Sequence, residues 1–281
     1  MKQLMGKVAA ITGAGSGIGQ ALAVELAKLG CEVAISDKNE AGLQETLQLV
    51  QSVGVKATSS ILDVADREAV YAWADKVVTD HGRVNLIFNN AGVALSETVE
   101  SMGYENFEWL MNINFWGVVY GTKAFLPYLK QAGEGHVINI SSVFGMIGVP
   151  TQSAYNAAKF AVRGFTESLR EEMEIEGASV NVSCVHPGGI KTNIVRSGRI
   201  GEVGKVGTQD RAKAVSMFDK AARTTPAQAA NIIIDGVKKD KPRILIGTDA
   251  HVIDSVQRLL PTGYQKLLIW GAKRNFEKHN G

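Results

Sequence analysis

The sequence predicts an α/β fold: a mainly parallel sheet wound on both faces by helices. Three observations carry that expectation. Short, nearly all-apolar runs recur along the first 190 residues, as strands covered on both faces require. Longer segments between them place apolar residues at helical spacing. The two patterns alternate in order, which is the signature of a doubly wound sheet. No composition break or Pro/Ser-rich linker divides the 281 residues, so a single domain is expected over 1–281.

Residues 7–12 (KVAAIT) open the sheet. Segment 18–29 puts Ile18, Leu22, Leu26 and Leu29 on one helical face and stops at Gly30, a suitable C-cap. A strand over 32–36, a helix near 40–53 and a strand near 56–62 follow. Asp66 is placed to cap a helix over 66–80, and 84–89 forms the fourth strand. Helices near 104–129 and 153–176 then separate strands 136–141 and 180–186. Thr225-Pro226 starts a later helix, with Thr as cap and Pro at the first helical position. Strand 243–247 closes the sheet and leaves a tail over 250–281.

Composition excludes several classes. Hydrophobic residues are 45% and charged residues 21%, too apolar a mixture for disorder. A chain of this length can bury roughly three-quarters of its unfolded surface. Thirty glycines point to many tight turns or close backbone approaches. Two cysteines, Cys31 and Cys184, exclude a disulfide scaffold and a multi-cysteine zinc module, and both read as buried apolar residues. The five histidines lack metal-ligand spacing, so no metal is expected. There is no run of 18 apolar residues, and the opening MKQLMGKVAAITG reaches glycine too soon for a signal peptide, so a cytoplasmic protein without a membrane span is expected. The sequons at Asn139 and Asn181 fall in predicted core strands and read as chance matches. Net charge is +2 but uneven: residues 1–190 carry 13 Lys/Arg against 20 Asp/Glu, and residues 191–281 carry 17 against 8. The basic part reads first as solvated surface, with an anion- or membrane-facing patch as the alternative. Nothing resembles a nucleic-acid module.

Thr12-Gly13-Ala14-Gly15-Ser16-Gly17-Ile18-Gly19 joins the first strand to the first helix. Glycines there allow a tight turn and let backbone N–H groups approach a pyrophosphate, which the helix N-terminus stabilises. Asp37 follows at the end of the second strand. A carboxylate at that place accepts hydrogen bonds from an adenosine ribose and repels a 2′-phosphate, which favours NAD over NADP. Ser16, where a cation would be needed for that phosphate, points the same way, while the neighbouring Lys38 could tolerate it.

The Thr-Gly-x-x-x-Gly-Ile-Gly spacing, Asn89-Asn90-Ala91-Gly92 and Tyr155-x-x-x-Lys159 together resemble the short-chain dehydrogenase/reductase family in its compact single-domain branch. The match runs in order from about Lys7 to Thr192. It implies a Rossmann-type doubly wound sheet and a nicotinamide dinucleotide cofactor. It further implies that Asp63 and Val64 contact the adenine, and that Asn90, Ala91 and Gly92 support the adenosine side, for which a purely structural turn is the alternative. In Pro187-Gly188-Gly189-Ile190-Lys191-Thr192, the Ile190 backbone and the Thr192 hydroxyl would hold the nicotinamide carboxamide.

Tyr155 and Lys159, at i and i+4 on a predicted helix, project from one face. A free tyrosine near pKa ~10 is too weakly acidic to act as a base at neutral pH. A nearby ammonium and a nicotinamide cation would favour phenolate, letting Tyr155 take a proton from an alcohol or return one to a carbonyl. By resemblance, Lys159 also bonds the nicotinamide ribose, and Ser142 orients the substrate oxygen, with Ser141 the competing candidate. Asn114, again by resemblance, interrupts regular helix bonding and completes a proton relay to Lys159.

Ligands of such folds bind outside the carboxyl ends of the strands. The pocket wall is therefore expected from 93–96, 143–149 and the segment after Thr192. The apolar run Val143-Phe144-Gly145-Met146-Ile147-Gly148-Val149 suggests a hydrophobic substrate unless it simply packs the core. Residues 193–224, with four glycines amid mixed charge, read as a mobile lid rather than a packed element, and Arg196, Arg199 and Lys205 there suggest an anionic lipid. The tail reads as packing on its own domain or a sister subunit, with peripheral membrane contact as the alternative. Family resemblance implies a homodimer or homotetramer paired through helices matching 114–129 and 153–176. The expected activity is interconversion of an alcohol and a carbonyl. A non-catalytic dinucleotide-binding regulator is one rival. A sugar-nucleotide epimerase or dehydratase is another, against which the glycine spacing and the short C-terminal part argue.

Overall fold

The computed structural model describes residues 1–280, with side chains at all positions but 205 and 274–280. In chain order the strands are β1 (Val8–Thr12), β2 (Glu32–Asp37), β3 (Ala57–Ile61), β4 (Leu86–Asn89), β5 (Leu95–Ser96), β6 (Gly135–Ile140), β7 (Val180–Pro187), β8 (Arg199–Ile200) and β9 (Arg243–Ile246). The helices are α1 (Gly17–Lys28), α2 (Glu40–Gln51), α3 (Arg67–His81), α4 (Tyr104–Met111), α5 (Gly117–Gln131), α6 (Ser153–Ile175), α7 (Arg211–Ala221), α8 (Pro226–Lys238), α9 (Thr248–Leu259) and α10 (Tyr264–Asn280). Seven strands form one sheet in the order β3-β2-β1-β4-β6-β7-β9, every pair parallel. The sequence-derived strands lie within a few residues of these, and the Rossmann-type doubly wound sheet is present. The order reverses between β1 and β4, which opens a crevice at their C-terminal ends.

Period-two alternation with both faces covered explains why the inner strands are largely apolar. Ala9, Ile11, Val33, Ile35, Phe88, Ile138 and Val185 face α1, α2 and α8, where Leu22, Leu26, Leu43, Ile233 and Val237 meet them. Val8, Ala10, Ala34, Ile87, Val137 and Val182 face the opposite layer, with Val70, Trp73 and Val77 of α3, Phe125 and Leu129 of α5, and Leu169 and Met173 of α6. The Trp73 and Phe125 rings meet edge to face at 5.1 Å.

The predicted caps form. Asp66 accepts from the Ala69 N–H at 3.1 Å, and Thr225 makes a full capping box with Gln228 ahead of Pro226. Gly30 turns the chain out of α1 at φ 75°. Cys31 and Cys184 are buried, and burial pushes both thiols up to about 12, so neither is a nucleophile at neutral pH. Asn139 is fully buried in β6, donating to Thr166 and accepting from Asn89, so that sequon has no accessible acceptor.

Residues 193–224 carry more structure than their glycines suggest. β8 pairs with β5 in a two-stranded parallel ribbon, followed by a 3₁₀ turn (Gly204–Val206) and α7, none of whose side chains is buried. Arg199 lies 3.8 Å from the Trp109 ring centroid and donates to Asn106, and Arg196 pairs with Asp219. Two of the three cations singled out for an anionic substrate are thus engaged within the protein, and the side chain of Lys205 lies outside the described residues. The tail forms α9 and α10, broken at Pro261–Gly263 as its residues imply. Among the described residues no helix is long and apolar enough to cross a membrane, and no group of potential metal ligands is present.

Candidate active site

The crevice at the β1–β4 switch point is filled by the glycine turn. Gly13 and Gly17 adopt φ 66° and 59°. A Cβ at Gly19 would lie 2.2 Å from the Gly13 carbonyl oxygen, so the turn exists in this form only with glycine there. Ser16 caps α1 without bonding through its exposed side chain, and Gly17, Ile18 and Gly19 form the first helical turn. Asp37 closes β2 onto this turn: its carboxylate accepts from the Gly15 and Asn39 N–H groups, each at 2.8 Å. Asp63 accepts from the Ala65 N–H at 2.9 Å, and Val64 packs where a side chain at Gly117 would stand.

Asn90 donates its side-chain amide to the carbonyls of Thr12 (2.9 Å) and Gly13 (3.1 Å). The N–H groups of Asn90 and Ala91 both donate to the Thr12 hydroxyl. The Asn90 amide thus holds the glycine turn. Gly92 stands where side chains of the turn before α5 and of α6 converge: a Cβ there would be 3.3 Å from Asn114 Oδ1 and 3.7 Å from Lys159 Nζ.

Asn114 lies in a five-residue π-helix (Asn112–Trp116) between α4 and α5, so regular helix bonding is interrupted at this residue. The fully buried side chain accepts from the Val93 N–H at 2.8 Å and donates to the Val93 carbonyl at 2.9 Å. Tyr155 and Lys159 project from α6, with Lys159 Nζ 5.6 Å from the tyrosine ring centroid. Ser142, whose hydroxyl accepts from the Phe144 N–H at 3.1 Å, lies close enough to Tyr155 to pull its pKa down. Ser141 instead donates to the Lys159 carbonyl at 2.8 Å, a helix-anchoring contact.

The electrostatics differ from the sequence expectation. Burial pushes Tyr155 up to about 12, only partly opposed by Ser142. Burial also pushes Lys159 down to about 8. Lys159 Nζ donates to the Ile140 carbonyl at 2.9 Å and stands over the Tyr155 ring, 5.6 Å from its centroid.

The other rim of the crevice is the turn after β7. Pro187 ends the strand, Gly189 N–H donates to Asp249 at 2.6 Å, and the buried Ile190 bridges to Thr224. Thr192 returns to the glycine turn, its methyl 3.1 Å from where a Cβ on Gly17 would stand. Contacts at the C-terminal edge of the sheet thus link the glycine turn to Asp37, Asn90 and Thr192, and Gly92 to Asn114 and Lys159. The parts of this crevice fit a nicotinamide dinucleotide: a turn with no room for side chains beside backbone donors, a carboxylate at the end of β2 closed onto that turn, and a turn after β7 whose Thr192 returns to it.

Sequence reasoning passed over several supports. Asn156, next to Tyr155, donates to the Phe144 and Ile147 carbonyls at 2.7 Å each and accepts from Val149 N–H at 3.0 Å. Asp249 at the start of α9 fixes Gly189. His186 lies 3.1 Å, through Nδ1, from the Ser142 carbonyl, while its buried Nε2 has no partner. Glu97, 6% exposed, accepts from Asn106, which in turn accepts from Arg199. Only the buried-polar character of Asn156 and His186 could have been suspected from sequence, since both sit in apolar surroundings.

Fold and crevice define a dinucleotide-binding oxidoreductase of the doubly wound class. The chain belongs to the short-chain dehydrogenase family, whose model, described as short chain dehydrogenase, matches residues 7–202. It is 46% identical over 277 residues to SadH of Mycobacterium tuberculosis, an oxidoreductase by name, covering 98% of this chain and 99% of that one. It is 28% identical to human estradiol 17-beta-dehydrogenase 11, over 95% of this chain and 83% of the relative. Among solved structures it resembles a short-chain dehydrogenase/reductase from Burkholderia phymatum in complex with NAD, at TM-score 0.83 and 27% identity, covering 96% and 97% of the two chains.

Proposed function

We propose that this protein interconverts an alcohol and a carbonyl on a small-to-medium apolar substrate, such as a lipid, steroid or long-chain alcohol. NAD is the preferred cofactor and NADP the alternative. The observation that carries this reading is the convergence of Asn114, Ser142, Tyr155 and Lys159 beside a glycine turn closed by Asp37. Relatives point the same way: one is named for an estradiol dehydrogenase activity, and one was solved with NAD. Asp37 supports NAD, since its carboxylate stands where a 2′-phosphate would be repelled.

The bound dinucleotide supplies or accepts the hydride. The chain orients the substrate and handles the proton. Ser142 and Tyr155, neighbours at the site, converge on the substrate oxygen. Tyr155 takes the alcohol proton in oxidation and returns one in reduction. Burial alone holds its hydroxyl protonated, so lowering it needs positive charge at the site, and Lys159 one helical turn away is the chain's own source. Asn114 Oδ1, near Lys159 Nζ, supports a relay that restores the proton. Phe144 meets the Tyr155 ring edge-on at 6.1 Å and, half-buried, offers an apolar wall, whereas Val143, Met146 and Ile147 are buried behind it.

The same reading takes 1–281 as one catalytic domain, 193–224 as the substrate lid, and 250–281 as a tail on the domain or a sister subunit. It also takes the protein as a cytoplasmic homodimer or homotetramer paired through α5 and α6. The exposed Trp116 of the π-helix and Phe160 of α6 support that pairing.

The test follows the near-ultraviolet absorbance of reduced nicotinamide while NAD and NADP are each offered with secondary alcohols, steroids and long-chain alcohols. Tyr155→Phe is expected to lower kcat by at least about 100-fold while leaving the cofactor Kd unchanged. Tight cofactor binding without turnover across the panel would overturn the reading in favour of a dinucleotide-binding regulator.

A further inference from the structure

The apolar segment 143–149, between Ser142 and the helix carrying Tyr155, is held in an unusual way. Its inner part is tied by Asn156 from α6, through the Phe144 and Ile147 carbonyls and the Val149 N–H. Its outer tip is tied from elsewhere: the Gly148 N–H donates to the Tyr264 hydroxyl at 3.0 Å. Tyr264 is the first residue of α10, 116 positions away in sequence. Among the described residues it is the only side chain of a helix other than α6 that hydrogen-bonds 143–149. Its own helix is otherwise poorly buried. Leu267, Ile269 and Trp270 are 57%, 50% and 62% exposed, whereas Tyr264 is 9% exposed. Tyr264, the buried residue among the described side chains of this helix, is thus one that touches the apolar segment. α10 also packs against the Gly204–Val206 turn of the 193–224 segment, so it spans both walls of the crevice mouth.

We propose that Tyr264 is a positioning residue for the substrate site: its hydroxyl fixes the tip of 143–149, so that α10 sets the width of the apolar pocket beside Tyr155 and thereby which substrates fit. The inference rests on the alcohol–carbonyl reading for the identity of the substrate, but not for the contact itself. Phe144 is the link between contact and chemistry. Its carbonyl is held by Asn156 and its ring abuts Tyr155, so a shift at Gly148, four residues on, reaches the tyrosine face through a segment with no slack. Gly148 is exposed, so once the Tyr264 oxygen is removed its N–H turns to water at little cost in stability, and the tip is left with its Asn156 ties at the Ile147 carbonyl and the Val149 N–H.

The experiment compares the full-length protein with Tyr264→Phe, which keeps the ring and deletes the oxygen, and Tyr264→Ala, which unseats the ring as well. Steady-state kinetics are measured on a homologous series of straight-chain secondary alcohols, together with cofactor Kd, melting temperature and amide exchange of peptides covering 143–149. Losing one neutral hydrogen bond predicts a KM rise of about two- to tenfold for the best substrate in Tyr264→Phe, with kcat within about twofold. Cofactor Kd should stay unchanged, the preference among chain lengths should flatten, and Gly148 exchange should quicken by a similar factor. Tyr264→Ala should exaggerate each change. Unchanged KM, length profile and exchange in Tyr264→Phe would overturn the proposal. So would parallel loss of kcat, cofactor affinity and melting temperature, which marks a general packing role. If the wild-type protein turns over no substrate, the alcohol–carbonyl reading fails and exchange alone decides. Faster exchange confined to 143–149 then upholds the strap, and equal exchange removes it.

Discussion

Two histidines buried in the sheet make the protein acid-labile in a window where few other groups titrate. His136 on β6 and His186 on β7 are both fully buried, and burial pushes them down to about 3 and about 4. In the unfolded chain each returns to about 6.5. Below that value the unfolded state takes up protons that the folded state refuses, so stability falls with pH and stops falling only beneath the folded values. Near pH 5 each histidine contributes a loss of about 2 kcal/mol, or about 4 kcal/mol together, against a typical domain stability of about 5–15 kcal/mol. Asp80, Glu167 and Asp254 are held below the usual carboxylate range by the cations they pair with, opposing partial burial in Glu167 and Asp254. Their losses begin only near their unfolded values of about 4, below this window. Urea unfolding followed by far-ultraviolet circular dichroism, from neutral pH down to about 5, reads the slope, which should approach 2.7 kcal/mol per pH unit for the pair. His136→Gln keeps a donor for Ser183, and His186→Asn keeps one for the Ser142 carbonyl; each should remove about half of the slope. Taking the difference between wild type and variant cancels every other titrating group. Parallel pH profiles for wild type and the double variant would refute the argument.

Two further outcomes follow from contacts already described. Asn156→Leu, close in volume, strands two carbonyls and an N–H of 143–149, and should lower stability by about 2–4 kcal/mol in urea unfolding while reducing kcat/KM. Unchanged kcat/KM would separate the segment from catalysis. Gly19→Ala places a methyl 2.2 Å from the Gly13 carbonyl oxygen and should abolish cofactor binding in calorimetry. Gly164→Ala, where a Cβ meets nothing within 4 Å, should bind as wild type and serves as the control.

The sheet was legible because most of its seven strands carry a compact apolar run, β3 with its Thr58-Ser59-Ser60 at the sheet edge being the exception, and the caps at Asp66 and Thr225 announce themselves by local chemistry. The β5–β8 ribbon was not legible. Two-residue strands have no periodicity, and their pairing is dictated by the 193–224 segment folding back over 95–96. Segment 193–224 misled for a related reason: its glycines suggested freedom, yet Gly198 and Gly201 stand where a Cβ would strike Ala94 and Glu97, so they permit close approach instead. The motif residues at the site were readable, since turn, carboxylate, tyrosine and lysine fall at fixed spacings. The electrostatics were not. The Tyr–Lys spacing suggested a lowered tyrosine, but burial dominates both groups, and burial depends on residues far off in sequence. Asn156 and Tyr264 escaped notice because each acts on backbone groups, which no side-chain pattern reveals.

The Ser142–Tyr155 spacing is a motif in sequence, but in space it depends on a pair of reciprocal ties between β6 and α6. Lys159 Nζ donates to the Ile140 carbonyl at 2.9 Å, and the Lys159 carbonyl accepts from Ser141 Oγ at 2.8 Å. One residue of the helix is thus bonded in both directions to two successive residues at the strand end. Side chains alternate along extended chain, so with Ser141 turned to the helix backbone, Ser142 presents its hydroxyl to Tyr155, one turn before Lys159. Gly145 permits the approach, since a Cβ there would lie 2.4 Å from Ser141 Oγ and 2.6 Å from the Lys159 carbonyl oxygen. His186 then fixes the Ser142 carbonyl from the neighbouring strand. Ser142 therefore owes its place beside the tyrosine to Ser141, and two adjacent residues of one type are divided by strand geometry between the helix backbone and the tyrosine.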